Sequence, residues 1–463
     1  MQQFFSEDMM MTGKKISVLG AGVSGRALAE LASDLGARVF VSDAKEIKAE
    51  TAAAFEEKNI KWESGGNTDL VLDADEIVVS SGISPNAPIL VKAREKGIKT
   101  IGELDFVSPY LYGIVIGVTG SNGKTTTTSM IGYYLEQMGY SVMTGGNIGN
   151  AVAHAAGKDY NFIVLELSSF QLHWAKEFSC DLAVITNLAP DHIDWHGSYE
   201  NYVAAKANII NCLAPGGAAI FQKRDEEALH ITRDDVLRFP LFWGEDDPHT
   251  PGIYLDDGVR AAWINGGDCK MKHRIFMFDD VKLLGRHNLE NAAMALGSLA
   301  LFNVPDVPPE VISSYVPPKH RCAYAGEVKG ITFVDDSKGT NVAATVTAMT
   351  SLSGTKIIIL GGQGKGEDYA PLADAVKENC RAAVLLGSEK EKIAKALDAA
   401  GFSDYKTVSD MEEAVRCAFD TAQSGETVLL SPACTSWDMY PSYNVRGEHF
   451  CEIAKKIIEA EAK

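Results

Sequence analysis

Residues 113–125 of the sequence read GIVIGVTGSNGKT, and this stretch predicts more about the fold than any other. Its first part, Gly113–Thr119, is an apolar run typical of a buried strand, and a helical pattern starts at Lys124. The glycine-rich turn between them can surround phosphate with backbone N–H groups, while Lys124 would reach the β- and γ-phosphates and Thr125 would bind Mg²⁺. A chance Gly-Lys-Thr is the alternative. The strand before the turn and the helix after it favour a nucleoside triphosphate site.

Side chains further along the chain have chemistry that suits such a site. Glu166 ends a second apolar strand pattern, FIVLEL, at the sheet edge where parallel strands place ligand-binding residues. His192 follows a third strand, and we interpret it as a metal ligand or a phosphate clamp. The alternatives are an exposed strand-end glutamate and a turn with a solvated histidine, which is what we expect of nearby His196. Lys206 lies in a helical pattern, where a lone lysine is usually solvated.

A second glycine-rich turn lies near the start of the chain. Residues 20–25 read GAGVSG, between the strand pattern KISVL and a helical pattern, and Asp43 closes the next strand. Such a turn lets a pyrophosphate approach the N-terminus of the helix, and the acidic residue usually meets ribose or base hydroxyls. A tight turn with a purely structural role is the alternative. The pattern alone does not tell a dinucleotide from another nucleotide diphosphate.

Alternating strand and helix patterns continue on both sides of these motifs and predict an α/β fold with parallel sheets. The proline-rich segment 304–318 reads as a linker, and residues 241–284 as a small irregular excursion of the middle domain. We therefore expect three consecutive domains, at residues 1–104, 105–316 and 317–463.

Composition excludes several classes of protein. The 463 residues include 43 Lys and Arg against 62 Asp and Glu, a net charge of −19 that disfavours nucleic acid binding. No apolar run approaches the ~20 residues that a membrane span needs, and the N-terminal MQQFFSEDMMMTGKK is not an export signal. Eight scattered cysteines without a CxxC pair indicate free thiols. We expect a cytoplasmic protein.

Several polar motifs lie at helix starts and strand ends in the second half of the chain. The residue patterns leave open whether Asn288 and Asn291 pair with an adenine edge or cap a helix. The cationic side chains near 320–338 are either phosphate clamps or ordinary linker and turn polarity. The loop 361–365 (GGQGK) is interpreted as a flexible anion-binding loop, and Cys434 as a structural thiol.

Taken together, these motifs resemble the muramyl peptide ligases of bacterial cell-wall synthesis. The resemblance runs from about Lys15 to the C-terminus, and it rests on a set of motifs: TGSNGKT at 119–125, GGNIG at 145–149, ELSSFQ at 166–171, Asp191-His192, GRHNLEN at 285–291, His320-Arg321, DSKGTN at 336–341, GGQGK at 361–365 and SPACTSWD at 431–438. It implies a Rossmann-like N-terminal domain, a P-loop-type central ATPase domain with a parallel sheet and a Rossmann-like C-terminal domain.

The resemblance also assigns roles to individual residues. The UDP-sugar would contact Val23, Ser24, Asp43, Ser81, Gly82, Asn147 and Ser168. ATP would contact Gly120, Ser121, Asn122, Gly123, Lys124, Thr125, Thr126, Asn288, Asn291, Arg321, Asp336 and Lys338. One Mg²⁺ would bind Thr125 and Glu166, and a second would bind His192 and Lys206 as its carbamate. The incoming amino acid would contact Thr340, Lys365, Ser436 and Tyr443.

The implied activity is ATP-dependent ligation of D-glutamate to UDP-N-acetylmuramoyl-L-alanine through an acyl phosphate, by a monomer. Lys124, Glu166, His192 and Lys206 would be the catalytic residues. Ala44-Lys45 and Ala323 depart from a familiar version of the family pattern. The alternatives are a sister ligase that adds another amino acid, an NAD-dependent dehydrogenase and a nucleotide-dependent switch.

Overall fold

The structure, a computed structural model, describes residues 10–244, 250–266 and 273–461. The chain divides into two compact units. The first contains residues up to Leu188, Glu200–Phe278 and Ala293–Ile312. The second contains Ala189–Tyr199, Asp279–Ala292 and the chain from Ser313 onward. The domain boundaries expected from sequence stay predictions.

The first unit begins with a five-stranded parallel sheet. Its strands are β1 (Lys15–Leu19), β2 (Arg38–Asp43), β3 (Lys61–Ser64), β4 (Glu76–Val79) and β5 (Lys99–Gly102). They lie in the order β3-β2-β1-β4-β5, which is the order of the first five strands of a Rossmann fold. The helices that follow the strands are α1 (Val23–Asp34), α2 (Ala49–Glu57), α3 (Pro88–Glu95) and the short α4 (Glu103–Val107). The expected Rossmann-like fold is confirmed.

A nine-stranded sheet completes the first unit. Its strands are β6 (Tyr112–Thr119), β7 (Val142–Gly146), β8 (Asp159–Glu166), β9 (Cys180–Ile185), β10 (Leu213–Gln222), β11 (Leu237–Trp243), β12 (Gly252–Asp256), β13 (Ala261–Asn265) and β14 (His273–Met277). The order is β14-β13-β12-β11-β10-β9-β6-β8-β7. The sheet is parallel as far as β12, whereas β13 and β14 are antiparallel. The expected parallel sheet is therefore confirmed, and the antiparallel strands β13 and β14 at its edge lie in the segment 241–284 that the sequence analysis set apart as an excursion.

The second unit contains a six-stranded sheet. Its strands are β15 (Ala323–Val328), β16 (Ile331–Asp335), β17 (Lys356–Gly361), β18 (Cys380–Leu386), β19 (Tyr405–Thr407) and β20 (Thr427–Leu430). The order is β15-β16-β20-β17-β18-β19, and β15 alone is antiparallel to its neighbour. Apolar residues of β17 and β20 are fully buried, because helices cover both faces of a parallel sheet.

The remaining helices complete both units. They are α5 (Lys124–Gln137), α6 (Ser169–Trp174), α7 (Ile193–His196), α8 (Tyr199–Asn211), α9 (Glu226–Leu229), α10 (Arg286–Leu301), α11 (Pro309–Ser313), α12 (Val342–Ser351), α13 (Ala370–Asn379), α14 (Lys390–Ala399), α15 (Met411–Thr421) and α16 (Tyr443–Glu461). Helix α11 lies inside the proline-rich segment that the sequence suggested was a linker. Its proline occupies the first helical turn, where a missing N–H costs little.

One continuous apolar core joins the two sheets of the first unit. It includes Leu28 of α1, Val107 of α4, Ile163 of β8 and Phe221 of β10, all nearly or fully buried. Burial of each such side chain contributes roughly 1.5–3 kcal/mol. Helix α4 connects the N-terminal sheet to this shared core, so it can fix the position of one sheet against the other.

Two expectations from composition concern features outside the active site. The seven cysteines within the described ranges are free, which agrees with the expected free thiols. No helix of the described residues is long and apolar enough to cross a membrane. Most of the N-terminal stretch that we judged not to be an export signal lies outside the described residues.

Candidate active site

The loop between β6 and α5 has the strained backbone that the sequence pattern requires. Gly120 has a φ of +134°, and a side chain there would begin 2.0 Å from Thr186 Oγ1. Gly123, at the start of α5, has a φ of +81°. The Lys124 ammonium donates hydrogen bonds to the carbonyls of Gly120 (2.9 Å) and Ser121 (2.8 Å). The lysine therefore lies along the loop that the motif predicted it would serve.

Part of the loop backbone is already paired within the protein. The Ser121 N–H donates to the Asn187 carbonyl at 2.8 Å, and the Asn122 N–H donates to Asn187 Oδ1 at 3.0 Å. Thr186 donates through its hydroxyl to the Asn122 carbonyl. We had expected successive N–H groups of the whole loop to face phosphate. Instead, the strand end at 186–187 holds the middle of the loop, and that support was not visible in the motif.

Glu166 lies at the end of β8 and is 2% exposed, so it is not an exposed strand-end glutamate. One carboxylate oxygen accepts a hydrogen bond from Thr125 Oγ1 at 2.6 Å, and the other accepts one from Asn147 Nδ2 at 2.8 Å. A hydroxyl and a carboxylate side by side are the oxygen ligands that Mg²⁺ prefers. These residues therefore fit the expected magnesium site.

Lys206 of α8 is 2% exposed, which rules out the solvated-lysine alternative. Its ammonium donates to the Gly120 carbonyl at 2.6 Å and lies 4.8 Å from the centre of the Tyr202 ring. The Tyr202 hydroxyl is 2.9 Å from Ser121 Oγ. Helix α8 thus presents a buried lysine and a tyrosine to the loop that carries Lys124. The role of Tyr202 was missed because its spacing reads as ordinary helix core.

His192 belongs to the second unit. It has a φ of +51°, and its side chain is 37% exposed. The neighbouring Asp191 is largely buried, and it pairs with Lys365 Nζ at 3.1 Å and accepts a hydrogen bond from Asn341 Nδ2 at 3.2 Å. His196 is 8% exposed and packs against the Trp195 ring, so our expectation of a solvated side chain there is wrong. The structure thus pairs Lys365, a predicted ligand of the amino acid, with Asp191.

Clusters of three or more His, Cys, Asp or Glu side chains suited to a metal ion do not occur among the described residues. Each expected magnesium site contains only one side chain of these four types, so this finding does not test it. The first site pairs a threonine with a glutamate, and the second pairs a histidine with a modified lysine. The second pair remains a prediction.

The residues expected to contact the UDP-sugar lie on the first unit. Asp43 accepts hydrogen bonds from the N–H groups of Ala21 (2.7 Å) and Lys45 (2.8 Å), so its carboxylate stabilises the glycine-rich turn. At Gly25 a side chain would begin 1.9 Å from the Gly20 carbonyl oxygen, which explains the glycine. Val23 is 72% exposed. The turn has the close approach that a diphosphate-binding turn requires.

Asn288 and Asn291 lie on one face of α10, as their spacing predicted. Asn291 Nδ2 donates to Asn288 Oδ1 at 3.2 Å, and Asn288 Nδ2 donates to the Leu284 carbonyl at 2.6 Å. Both residues are buried. The contact with Leu284 is a local helix-start interaction, whereas contact with an adenine edge remains a prediction. His287 beside them is held at a lowered pKa of about 4 by burial, which keeps the ring neutral.

The predicted ATP ligands Asp336 and Lys338 follow β16. Asp336 accepts hydrogen bonds from Ser431 Oγ at 2.6 Å and from the Cys322 N–H at 3.2 Å, and burial raises its pKa to about 7. The Lys338 ammonium lies 4.3 Å from the centre of the Tyr443 ring. The structure therefore brings a residue assigned to ATP next to one assigned to the amino acid.

A buried arginine that sequence reasoning missed connects the loops of the second unit. Arg446 of α16 is 3% exposed and donates to Ser337 Oγ and the Ser337 carbonyl at 3.0 and 2.8 Å, and to the Cys434 and Thr435 carbonyls. These loops carry Thr340 and Ser436, the latter 2% exposed. Burial raises the pKa of Cys434 to about 12, which agrees with a structural thiol.

The glycine-rich loop after β17 differs from our expectation of a flexible anion-binding loop. The N–H of Gly361 donates to the Pro432 carbonyl at 2.8 Å, and the N–H of Gln363 donates to the Thr435 carbonyl at 3.0 Å. Backbone pairing with the 431–435 segment therefore occupies these two N–H groups of the loop, and the side chain of Lys365 pairs with Asp191.

The chain matches one enzyme family along most of its length. Residues 15–89 match the MurD N-terminal domain, residues 118–299 the Mur ligase middle domain, and residues 320–434 the glutamate ligase domain of Mur ligases. The chain belongs to the Mur ligase family.

Relatives and solved structures agree with this assignment. UDP-N-acetylmuramoylalanine–D-glutamate ligase of Bacteroides fragilis is 35% identical over 458 residues, which cover 96% of this chain and 100% of the relative. The enzyme of the same name from Natranaerobius thermophilus is 36% identical and covers 95% of this chain and 97% of its own. The pseudomurein peptide ligase type C from Methanothermus fervidus superimposes with a TM-score of 0.59 at 19% identity, over 96% of this chain and all of that one. This last likeness shows the fold alone.

Proposed function

We propose that the chain joins D-glutamate to UDP-N-acetylmuramoyl-L-alanine with ATP, as a step of peptidoglycan precursor synthesis. The observation that supports this proposal most is the cluster of Lys124, Thr125, Glu166 and Lys206 around one glycine-rich loop, in which Lys124 is half-buried and the other three are buried. It lies in a chain whose whole length is similar to ligases named for this reaction. An NAD-dependent dehydrogenase would leave this cluster without a role.

The first chemical step is activation of a carboxylate. The carboxylate of the UDP-sugar attacks the γ-phosphate of ATP and forms an acyl phosphate, with ADP as the leaving group. Lys124 neutralises charge that develops on the transferring phosphoryl group. The amine of D-glutamate then attacks the activated carbonyl and expels phosphate.

We assign one magnesium ion to Thr125 and Glu166, and a second to His192 and the carbamate of Lys206. Bound Mg²⁺ would neutralise the phosphate oxygens and orient them for in-line transfer. Thr125 and Glu166 offer oxygen ligands from the first turn of α5 and the end of β8, and a hydrogen bond joins the two side chains. Asn147 keeps the Glu166 carboxylate oriented through its own hydrogen bond.

The amino-acid site is assigned to Thr340, Lys365, Ser436 and Tyr443 of the second unit. Of these, only Lys365 is cationic, and its ammonium already pairs with a carboxylate, that of Asp191. A dicarboxylic amino acid suits such a site better than a basic one. We place the reaction in the cytoplasm, where free thiols persist.

Phosphate release tests this function. With ATP, Mg²⁺ and UDP-N-acetylmuramoyl-L-alanine present, we expect D-glutamate to stimulate release strongly. L-alanine, L-lysine and diaminopimelate should not. Equal stimulation by one of these would favour a sister ligase, and release without any amino acid would favour a nucleotide-dependent switch. Tight NADH binding would favour a dehydrogenase.

Lys124→Ala tests the loop itself. We expect phosphate release to fall by roughly a hundredfold or more, because a charge on the phosphoryl group loses its partner. The circular dichroism spectrum should not change, since the ammonium contacts loop carbonyls rather than the core. Near-normal turnover would remove this loop from the mechanism.

A further inference from the structure

Glu103 is a buried carboxyl group at the junction of the two sheets in the first unit. It is the first residue of α4 and is 3% exposed. Its side chain accepts a hydrogen bond from Gln171 Nε2 of α6. The hydroxyls of Ser24 and Ser81 also neighbour it, and their hydrogen bonding opposes the rise in its pKa that burial causes. These three partners come from the start of α6, the first turn of α1 and the segment after β4.

Gln171 in turn holds the N-terminus of α6. Its Oε1 accepts hydrogen bonds from the Ser168 N–H at 2.8 Å and from Ser168 Oγ at 3.0 Å, while Ser168 Oγ accepts from the Gln171 N–H. This is a capping box, a reciprocal pairing that fixes the first turn of a helix. Glu103 contacts Gln171 through the amide nitrogen that the box leaves available.

The contacts form a continuous chain from Ser24 and Ser81, through Glu103 and Gln171, to Ser168. The two ends of this chain are residues assigned to different parts of one substrate. Ser24 and Ser81 are assigned to the diphosphate side, and Ser168 to the muramoyl side. No role in ligand binding has been assigned to Glu103 or Gln171.

We propose that Glu103 is a positioning residue for the UDP-sugar, which holds the diphosphate-binding turn and the muramoyl-binding helix start at a fixed separation. The proposal rests on the proposed function, because it needs both ends to contact one substrate. A substrate that spans two elements binds more tightly when their spacing is set in advance, because less ordering is needed on binding. Glu103 sets that spacing through its contacts with other residues and does not touch the substrate itself.

The charge state of Glu103 agrees with a role in fixing the spacing of the two elements rather than in attracting the substrate by charge. A carboxylate beside a diphosphate would repel it, and burial raises the pKa of Glu103, which favours the neutral acid. A neutral carboxyl can still accept hydrogen bonds from Gln171 and from the serine hydroxyls. An uncharged amide of the same length should therefore replace the carboxyl.

Asp105, two residues further along α4, offers a matched control. It is equally buried and accepts hydrogen bonds from the N–H groups of Lys176, Glu177 and Phe178 at the other end of α6. It stabilises the same contact between α4 and α6. It contacts none of the residues assigned to the UDP-sugar.

The experiment compares Glu103→Ala, Glu103→Gln and Asp105→Asn in the full chain. The readouts are KM for each substrate, kcat, and the Kd of UDP-N-acetylmuramoyl-L-alanine by calorimetry. We expect Glu103→Ala to raise this Kd and the corresponding KM by roughly tenfold or more, since two hydrogen-bonded supports are lost. The KM values for ATP and D-glutamate and kcat should stay within about twofold. Glu103→Gln should stay within about threefold of wild type in every constant.

Asp105→Asn should lower thermal stability without changing the UDP-sugar constants. If Glu103→Ala does not fold, Glu103→Asp replaces it, because the shorter carboxyl cannot reach both sides and should also raise Kd. Unchanged Kd in either variant overturns the proposal, as does an equal rise in every KM or a defect in Glu103→Gln as large as in Glu103→Ala. Failure of the proposed function differs from all of these, since the wild-type enzyme would then neither bind the UDP-sugar nor release phosphate with it.

Discussion

A lysine that is fully enclosed beside an ATP-type loop is unusual, because burial disfavours the charged form of an amine. Lys206 is 2% exposed and lies against Gly120 and Tyr202. A carbamate formed from its neutral amine would give Mg²⁺ an anionic oxygen ligand. We predict that Lys206→Ala lowers kcat by roughly a hundredfold or more, as expected for loss of a group that stabilises the transition state. Short carboxylic acids such as acetate should partly restore the activity.

Exposed Lys92 provides the control for this experiment, since Lys92→Ala should leave kcat unchanged with or without acetate. Isotopically labelled bicarbonate should give a carbamate signal in wild type that is lost in Lys206→Ala. An active Lys206→Ala enzyme, or equal rescue of Lys124→Ala by acetate, would contradict the carbamate.

Glu367 lies close to the proposed amino-acid ligand Lys365, so its titration would make binding of the amino acid depend on pH. Burial and the charge of Asp191 together raise the pKa of Glu367 to about 7, against the opposing effects of the Val342 N–H and Lys365. The carboxyl is neutral below about pH 7 and negative above it, where it opposes a dicarboxylic substrate. We predict that KM for D-glutamate rises from pH 6 to pH 8 by roughly fivefold more in wild type than in Glu367→Gln, about 1 kcal/mol of repulsion.

The comparison between enzymes is needed because the amine of the substrate also titrates. Glu391→Gln, at an exposed position, should follow wild type. Parallel pH profiles for wild type and Glu367→Gln would show that Glu367 does not face the bound amino acid.

At the scale of elements, α4 is the support between the two sheets of the first unit. Asp105 accepts hydrogen bonds from the N–H groups of three consecutive residues after α6. Asp105→Ala leaves those donors, of which only that of Phe178 belongs to a buried residue, without their acceptor, and we predict that it lowers the free energy of unfolding by about 2–4 kcal/mol. Urea denaturation measures this. Asp69→Asn, which removes a surface ion pair with Lys92, should have almost no effect.

Elements with strong local patterns were predictable from sequence, and elements with weak patterns were not. Strand β1 and the start of α5 lie where the apolar run and the glycine-rich turn placed them. Strands β3 and β5 were missed because each has only four residues, at least two of them polar, and forms only through pairing with a neighbour. Local pattern cannot reveal a strand whose stability comes from its partner.

The residues of the candidate site were likewise predictable where the local sequence pattern is strong, and not where the contact joins distant parts of the chain. Glu166 ends a strand and Lys124 begins the helix that follows one, so topology alone predicts their position. The contact between Glu103 and Gln171 joins residues 68 positions apart, and the pair of Lys365 with Asp191 joins residues 174 positions apart. No local motif encodes such contacts. They depend on how whole elements pack.

For the whole molecule, we predict a monomer. The net charge of −19 opposes self-association, and large exposed apolar side chains such as Leu237, Tyr324 and Trp437 come from separate elements. Light scattering after gel filtration should give a mass of 49.9 kDa at moderate salt. A mass near twice this value that persists on dilution would contradict the prediction.

Because Lys365 already pairs with Asp191, binding of the amino acid at Lys365 would exchange one carboxylate partner for another. Under the role proposed for Lys365, an incoming carboxylate must displace one that the protein already supplies at 3.1 Å. The affinity gained is then a difference between two similar pairs, and Asp191 loses the positive charge that Lys365 had supplied. A zwitterion such as glutamate carries an ammonium that can replace that charge, whereas glutarate does not. Inhibitor fragments that offer this site a carboxylate alone should therefore bind poorly, and those that add a nearby amine should recover the lost affinity.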